Sequence, residues 1–479
     1  MFSDMFKSIR SGSGKYSIMV IILIIAVTVS FSSPFFVSTD QDVHAAAQTF
    51  KAKAKIAGSD LSESEFETWM DEQGFPSSYK SSLRTMHKKH PKWIFKADKT
   101  NMKWSTMYSK ENDLGNNLVE VSEPEAWKMF NESTYSASSR KYKTFDASWN
   151  QASSRIMKYY LDPRNFINDT HIFQFLDQSD TASLQTTDSI KGIVNKYSYC
   201  FMNTNRSSYN YPKYILKAAK ATGVNANALT AMIVLEQGWS GGSQLISGKY
   251  TKYNKKYYKI YNYFNVGAYT TAKMDKIHHG LWYAKGESKG KQTSYSRAWT
   301  SRYKAIKGGA QFYKENYISN DQNTFYKKKF NVMNGTSKVA THEYMTNISG
   351  ADSEGRLLAM AYNDNSDSAL VFNIPVYKNM PARAKKPSTK GNYNNILKSL
   401  KIDTKDCALS PKFTGFTTKY SVTVPSDTET VKITAKADSS LSTVTGAGTV
   451  TLSDQSTTVK IIVKASRGNT KTYYLTINK

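Results

Sequence analysis

Between Ser59 and Phe95 apolar positions recur first at helical spacing and then as a short unbroken run. Phe66, Trp69 and Met70 mark one helical face behind Ser62 and Glu65, which have capping-box spacing, and Gly74 before Phe75-Pro76 reads as the stop. Tyr79, Leu83 and Met86 continue the helical period until His90-Pro91, after which Trp93-Ile94-Phe95 is a candidate buried strand. The stretch from Trp104 to about Cys200 is mixed, with YYLDPRNF (Tyr159 to Phe166) and IFQF (Ile172 to Phe175) as its most apolar parts. A new unit starts near Tyr211. It leads through Gly223 to a strongly apolar helix, NANALTAMIVLEQ, from Asn225 to Gln237, closed by Gly238. Residues 249–264 are dense in Tyr and Lys, which reads either as an exposed irregular arm or as rings placed to stack on sugars. Tyr303, Ile306, Ala310, Phe312 and Tyr313 predict a further helix, and Gly308-Gly309 inside it suggests that a neighbouring backbone packs closely there.

Beyond Tyr377 the run MPARAKKPSTKGNYNN is polar, basic and rich in breakers, as in a linker. The period then changes to two. YSVTV (Tyr420–Val424), VKITAKA (Val431–Ala437), VTL (Val450–Leu452), VKIIVKA (Val459–Ala465) and TYYLTI (Thr472–Ile477) predict short strands of a small all-β sandwich. The expected fold is therefore multidomain α+β.

Composition narrows the class. The 479 residues, 39% hydrophobic and 13% aromatic, can bury real cores, which excludes wholesale disorder and a disulfide-stapled scaffold. The two cysteines, Cys200 and Cys407, are read as unpaired, a usage that suits a protein exported from a Gram-positive bacterium. Lys7, Arg10 and Lys15 precede an uncharged run from Ser17 to Phe31, and Ala45-Ala46-Ala47 supplies small residues downstream. Residues 1–47 thus read as a signal peptide, with an uncleaved amino-terminal membrane anchor as the alternative. Cleavage would remove as many acids (Asp4, Asp40, Asp42) as bases, so the net charge of +27 belongs to the exported part. The bases are scattered among tyrosines and form no nucleic-acid module, so an anionic cell-wall polymer is the partner expected to retain such a protein outside the cell.

The candidate chemistry centres on Glu236. A carboxylate that ends an apolar helix is a solvated helix end, the partner of a base, or a general acid whose pKa is raised by desolvation. The segment EQGWSGGSQLISG and then NYFNVGAY (Asn262 to Tyr269) follow it, setting the acid before a glycine-rich loop, aromatics and an amide, a combination suited to an extended sugar-binding cleft. His87 with His90, and His278 with His279, lack the Cys or carboxylate companions of a zinc site, so neither a metal nor a cofactor is expected.

Several ordered blocks then become specific. LTAMIVLEQGWSGGSQLISG, YNYFNVGAY, GLWYAKG, YKAIKGGAQFYKENYI, NTFYKKKFNV and THEYMTNI resemble the endo-β-N-acetylglucosaminidase family of bacterial autolysins from about Tyr211 to Pro375. QGFPSSYKSSLRTMHKKHPKWIFKA and YYLDPRNFINDTHIFQF resemble the region that often precedes this domain in exported Firmicutes proteins. LKSLKID, LSPKFTGFTTKYSVTVP and GNTKTYYLTINK resemble the cadherin-like β-sandwich module. The layout so implied is an accessory α/β region over 59–205, a mainly helical, lysozyme-like glucosaminidase domain over 206–376, a linker over 377–396 and the sandwich over 397–479.

The resemblance implies hydrolysis of the β-1,4 bond on the reducing side of N-acetylglucosamine in peptidoglycan, by a secreted, wall-associated enzyme. Glu236 matches the family's catalytic glutamate by its place in the EQG block and would protonate the leaving oxygen. For the second catalytic group Asp275 and Glu287 are the acids that follow NYFNVGAY; the substrate's own acetamido oxygen is the alternative. Tyr263, Phe264, Asn265, Tyr303, His342 and Tyr344 are substrate-binding candidates, with Phe264 equally suited to the core. HEYMTN and NDQNT stand where the pattern has HQYMTN and GQDT. A muramidase, a lytic transglycosylase or a non-catalytic wall-binding scaffold would share most of these features.

Overall fold

Ser62 opens the first helix by the reciprocal capping its spacing predicts: its side chain accepts from Glu65 N–H, and the Glu65 carboxylate accepts from Ser62 N–H at 2.8 Å. Such a cap contributes about 1 kcal/mol. The computed structural model describes residues 58–146, 148–179, 185–287, 293–332, 338–362, 369–453 and 455–479. The signal peptide or anchor expected over residues 1–47 lies outside the described residues. Among the described residues no helix is long and apolar enough to cross a membrane.

The helices in chain order are α1 (Glu63–Gln73), α2 (Ser77–Lys89), α3 (Trp104–Glu111), α4 (Ser154–Leu161), α5 (Thr187–Val194), α6 (Tyr211–Thr222), α7 (Ala226–Gln237), α8 (Gln244–Ser247), α9 (Lys276–Lys285), α10 (Arg302–Asn316), α11 (Phe325–Phe330) and α12 (Gly350–Ala359). The strands are β1 (Ile94–Lys103), β2 (Leu118–Glu120), β3 (Tyr135–Ser136), β4 (Lys141–Tyr142), β5 (Trp149–Gln151), β6 (Val371–Lys378), β7 (Leu397–Ile402), β8 (Lys419–Thr423), β9 (Thr430–Ala437), β10 (Thr443–Thr445), β11 (Gly448–Thr451), β12 (Ser456–Lys464) and β13 (Thr470–Asn478).

The chain folds into two compact units, each assembled from separated segments. In the first, described residues up to Met102 join 166–345 and 351–378. The reason is a strand pairing: β1 and β6 form a two-stranded sheet, with Ile94 N–H donating to the Leu370 carbonyl at 2.8 Å. Around it Phe372 gathers Trp93 at 4.9 Å and Phe173 at 5.5 Å between ring centroids, an aromatic cluster drawn from three parts of the sequence. The helices α5, α6, α7 and α10 pack together beside it.

Gly308 and Gly309 lie at the tightest point of α10. A β-carbon on Gly308 would stand 2.0 Å from Trp299 Nε1 and 2.5 Å from the Tyr295 carbonyl, and one on Gly309 would stand 2.0 Å from the Phe264 ring. Two buried aromatic side chains, with one backbone carbonyl, thus explain the glycines where a neighbouring backbone was expected. Gly309→Ala should destabilise this unit by about 2 kcal/mol through overpacking, read as a lower urea midpoint.

The second unit combines 103–165 and 346–350 with the carboxy-terminal segment from Asn379. Its sandwich has a four-stranded sheet in the order β10-β12-β13-β8 and a three-stranded sheet in the order β11-β9-β7. The inward positions of the alternating strands, Val422, Val431, Ile433, Ile461, Val463, Leu475 and Ile477, make its core. Buried Asp438 ties segment 103–165 into the same unit, accepting from Tyr135 Oη and Arg140 Nε, each at 2.6 Å. The stretch 59–205 accordingly contributes to both units. Both cysteines are free.

Candidate active site

Asn225 caps α7 through its side chain, and the helix then buries nearly every residue from Ala226 to Val234. An apolar helix of this kind carries its last turn to the edge of the packed interior. There Leu235 and Glu236 are the positions not fully buried, and Gly238, at φ 67 and ψ 163, turns the chain away. Positive φ is open to glycine at little cost, so the exit is fixed at that residue.

The Glu236 carboxylate is held by Asn265, whose Nδ2 donates to Oε2 at 2.8 Å and to the Glu236 carbonyl at 3.0 Å. Asn265 is itself fixed, since its Oδ1 accepts from Gln237 Nε2 at 2.7 Å and its backbone adopts φ 50. Burial is the largest influence on Glu236 and pushes its pKa up, to about 7; the charge of Glu354 acts in the same direction, and the Asn265 amide and Lys328 act against it. A carboxyl in that range carries its proton near neutral pH and can release it within the pH range of an ordinary enzyme assay.

Beside it lies a buried charged cluster that the sequence did not announce. Lys328 Nζ is 3.0 Å from Glu354 Oε2, with both side chains essentially inaccessible, and Tyr344 Oη donates to the same Glu354 oxygen. The Lys328 ammonium lies 3.7 Å from the Tyr344 ring centroid. Burial raises Glu354 against the pull of Lys328 and Tyr344, and it lowers Lys328 against the pull of Glu354 and Glu236. Tyr317, raised by burial and then by the charges of Glu236 and Glu354, belongs to the same electrostatic neighbourhood.

The remaining sequence candidates fall in different places. Tyr263 is fully buried with its hydroxyl 3.0 Å from Tyr211 Oη, and Phe264 is a core ring seated on Gly309. Tyr303 is partly exposed, with Lys217 Nζ 4.8 Å from its ring centroid. His342 Nδ1 meets Gln322 Oε1 at 3.0 Å while its ring stacks on Tyr317, and burial lowers its pKa, keeping the imidazole neutral. Asp275 caps α9, accepting from His278 N–H at 2.9 Å. Glu287 receives Lys256 at 2.8 Å and Lys285 at 3.1 Å; burial raises its pKa but these lysines outweigh it and hold the carboxylate below its usual range. Among the described residues neither Asp275 nor Glu287 makes a hydrogen bond or ion pair to Glu236. The structure thus brings Asn265 into contact with Glu236, and Tyr344 into contact with Glu354, whose charge acts on Glu236.

Within the Tyr- and Lys-rich stretch, residues 251–256, 258 and 259 are exposed and irregular, Tyr253 and Tyr258 among them, while buried Tyr250, Tyr257, Tyr261 and Tyr263 anchor this exposed arm to the interior. His279 Nδ1 contacts the Gly267 carbonyl and His278 stacks on Tyr253, so both imidazoles are engaged in packing.

The Asn265 contact makes a prediction. Asn265→Gly keeps the positive φ but removes the amide that favours the ionised form of Glu236, so its pKa rises. The alkaline limb of the pH–rate profile should move to higher pH, and activity at pH 6 should fall about tenfold as the carboxyl loses its orientation.

Residues 397–479 match the family described as the cadherin-like beta sandwich domain. Over 242 residues, 48% of this chain, the sequence is 29% identical to a bifunctional autolysin of Staphylococcus epidermidis, and over 240 residues it is 31% identical to a beta-N-acetylglucosaminidase of Bacillus subtilis. The matched stretches are 16% and 23% of those relatives' own lengths. A crystal structure of S. aureus glucosaminidase B matches with a TM-score of 0.39 at 26% identity, covering 59% of this chain and 94% of that one. The resemblance to bacterial autolysins expected from the ordered blocks is therefore found for about half of the chain, and that to the cadherin-like module for its carboxy-terminal residues.

Proposed function

We propose that this chain is a peptidoglycan hydrolase, an endo-β-N-acetylglucosaminidase of the autolysin type, that cuts the β-1,4 bond between N-acetylglucosamine and N-acetylmuramic acid. One observation carries the reading: a single carboxyl, Glu236, ends an apolar buried helix, is oriented by Asn265, and holds its proton to about pH 7. Similarity to named autolysins and glucosaminidases over 48% of the chain supports the same bond and polymer.

In this reading Glu236 donates its proton to the glycosidic oxygen as the bond to the sugar's anomeric carbon breaks. Asn265 holds the carboxyl so that the proton faces the leaving group, and its amide stabilises the carboxylate left behind. The fixed pairing of Asp275 with the His278 amide and of Glu287 with two lysines gives either carboxylate a structural task already. Attack by the substrate's acetamido oxygen is therefore the route favoured for the second half of the reaction. Tyr303 and His342 are the ring-bearing candidates with surface left to meet a sugar, whereas Tyr263, Phe264 and Tyr344 support the site from within.

The charge of +27 suits retention by anionic cell-wall polymers after export, with the sandwich as a spacer or second wall contact. No nucleic-acid role is proposed, and membrane attachment would rest on the amino-terminal segment alone.

The identity of the new reducing ends tests the reading. Purified peptidoglycan digested by the protein and reduced with borohydride should yield reduced N-acetylglucosamine ends. N-acetylmuramic acid ends would assign a muramidase, anhydro ends a lytic transglycosylase, and binding without soluble fragments a wall scaffold.

A further inference from the structure

A groove of about 490 Å³ opens in the first unit between the end of α7 and the outer face of α12. This is within the size range of small-molecule sites, about 300–1,000 Å³, and its lining includes Leu235, the residue before the candidate acid, but not Glu236. Leu235 lines one wall, and its Cα is about 3.8 Å from that of Glu236 because the two are consecutive. Ser353, Arg356 and Leu357 line the other wall at helical spacing, on a different face of α12 from the buried Glu354.

Two kinds of group meet in the groove. Tyr197 and Trp239 form an edge-to-face pair, 4.6 Å between centroids, and Leu235 and Tyr197 keep 38% and 36% of their surface exposed, much for large apolar residues beside a hollow. Among the described residues lining it, Lys196 and Arg356 are the charged ones and none is acidic. Lys196 Nζ touches Met360 Sδ at 3.0 Å, and Arg356 has only its Nε near a carboxylate, 3.5 Å from Asp352, which is itself paired with His171. Among the described residues the terminal guanidinium nitrogens of Arg356 have no hydrogen-bond partner, and its side chain is 52% exposed. An occupant needs carboxylates for the two cations and apolar side chains for the aromatic walls.

The polymer of the proposed reaction carries such a group. Its muramic acid residues bear, through a lactyl ether, short peptides with free carboxylates and methyl side chains. An extended peptide of four residues reaches about 13 Å, several times the spacing of the neighbouring Cα atoms of Glu236 and the groove residue Leu235. We propose that this groove is a subsite for the peptide branch of peptidoglycan, with Lys196 and Arg356 holding its carboxylates and Tyr197, Leu235 and Trp239 covering its apolar side chains. The inference rests on the reading of the chain as a peptidoglycan hydrolase. It adds that the protein distinguishes peptide-bearing from bare glycan. A phosphate-rich polymer would find the cations but no use for the aromatic walls.

The test measures binding, so it does not depend on cleavage. The ligands are N-acetylmuramyl-N-acetylglucosamine with and without its tetrapeptide, the form that the proposed cleavage would leave, titrated into the whole protein by calorimetry. The parent should bind the peptide-bearing ligand about tenfold more tightly, the worth of one charge-assisted hydrogen bond. Arg356→Gln and Lys196→Gln, both surface substitutions, should each narrow that ratio toward one. Equal affinity of the parent for the two ligands, or a ratio untouched by both substitutions, would overturn the subsite. Displacement by polyglycerol phosphate without any peptide-dependent gain would overturn it in favour of a wall-polymer groove. Failure of the hydrolase reading would show separately, as absence of new reducing ends.

Discussion

Glu236→Gln is expected to lower the rate of glycan cleavage about a thousandfold, within the range that a positioned general acid contributes. The amide keeps the size of the carboxyl and its contact with Asn265, so glycan binding should persist, and the loss should appear in kcat. The same substitution separates lost chemistry from lost folding. In the folded protein burial raises the Glu236 pKa from the ordinary 4.5 to about 7, so the native state holds the proton more tightly than the unfolded chain does. That preference favours folding fully below pH 4.5 and is lost as the pH rises through about 7. Glu236→Gln carries no such penalty, so its thermal midpoint should match the parent's near pH 4 and exceed it at pH 8. A variant that is inactive and also less stable at pH 8 would mean that Glu236 is a structural residue.

The second large effect concerns Lys328. Lys328→Met leaves Glu354 buried without its counter-charge, and breaking a buried pair in this way costs about 3–5 kcal/mol. The double substitution Lys328→Met with Glu354→Gln removes both charges and leaves Tyr344 a neutral partner, so most of the loss should return. Urea unfolding of the parent, the two single variants and the double variant gives the coupling as a cycle. A single-variant loss below about 1 kcal/mol would show the pair to be solvated, against its near-zero accessibility. The pair also bears on the acid: Glu354→Gln removes a negative charge that raises the Glu236 pKa, and should draw the alkaline limb of the pH–rate profile downward.

Local rules made much of this legible. Ser62 and Glu65 announce α1 because the capping box is a contact within four residues, and the apolar run up to Gly238 announces α7, with Asn225, read as its first residue, serving as its cap. The carboxy-terminal strands were legible because a half-buried strand alternates strictly, and the named periods fall on β8, β9, β11, β12 and β13. What failed depends on distant partners. FYKKKF, from Phe325 to Phe330, carries no local sign of burial, yet Lys327, Lys328 and Lys329 are all buried. Each finds an acid from elsewhere in the chain: Asp98 at 2.7 Å, Glu354 at 3.0 Å and Glu343 at 2.8 Å. Glu343 is the residue by which HEYMTN departs from the expected pattern, and its task is to neutralise Lys329. Glu354 had no local mark, lying in a helix that reads as an ordinary surface segment. The joining of β1 to β6 across nearly the whole first unit was likewise invisible, since a short apolar run does not name the strand that it will pair with.

The rate at which new N-acetylglucosamine ends appear, measured against pH at low substrate concentration, tests the account most directly. With Glu236 as an acid held protonated by burial, the rate should fall about tenfold per pH unit above about 7. A break near 4.5, or a rate that stays level from pH 5 to 9, would contradict it, because Glu236 would then titrate as an exposed carboxylate or take no part in the proton transfer.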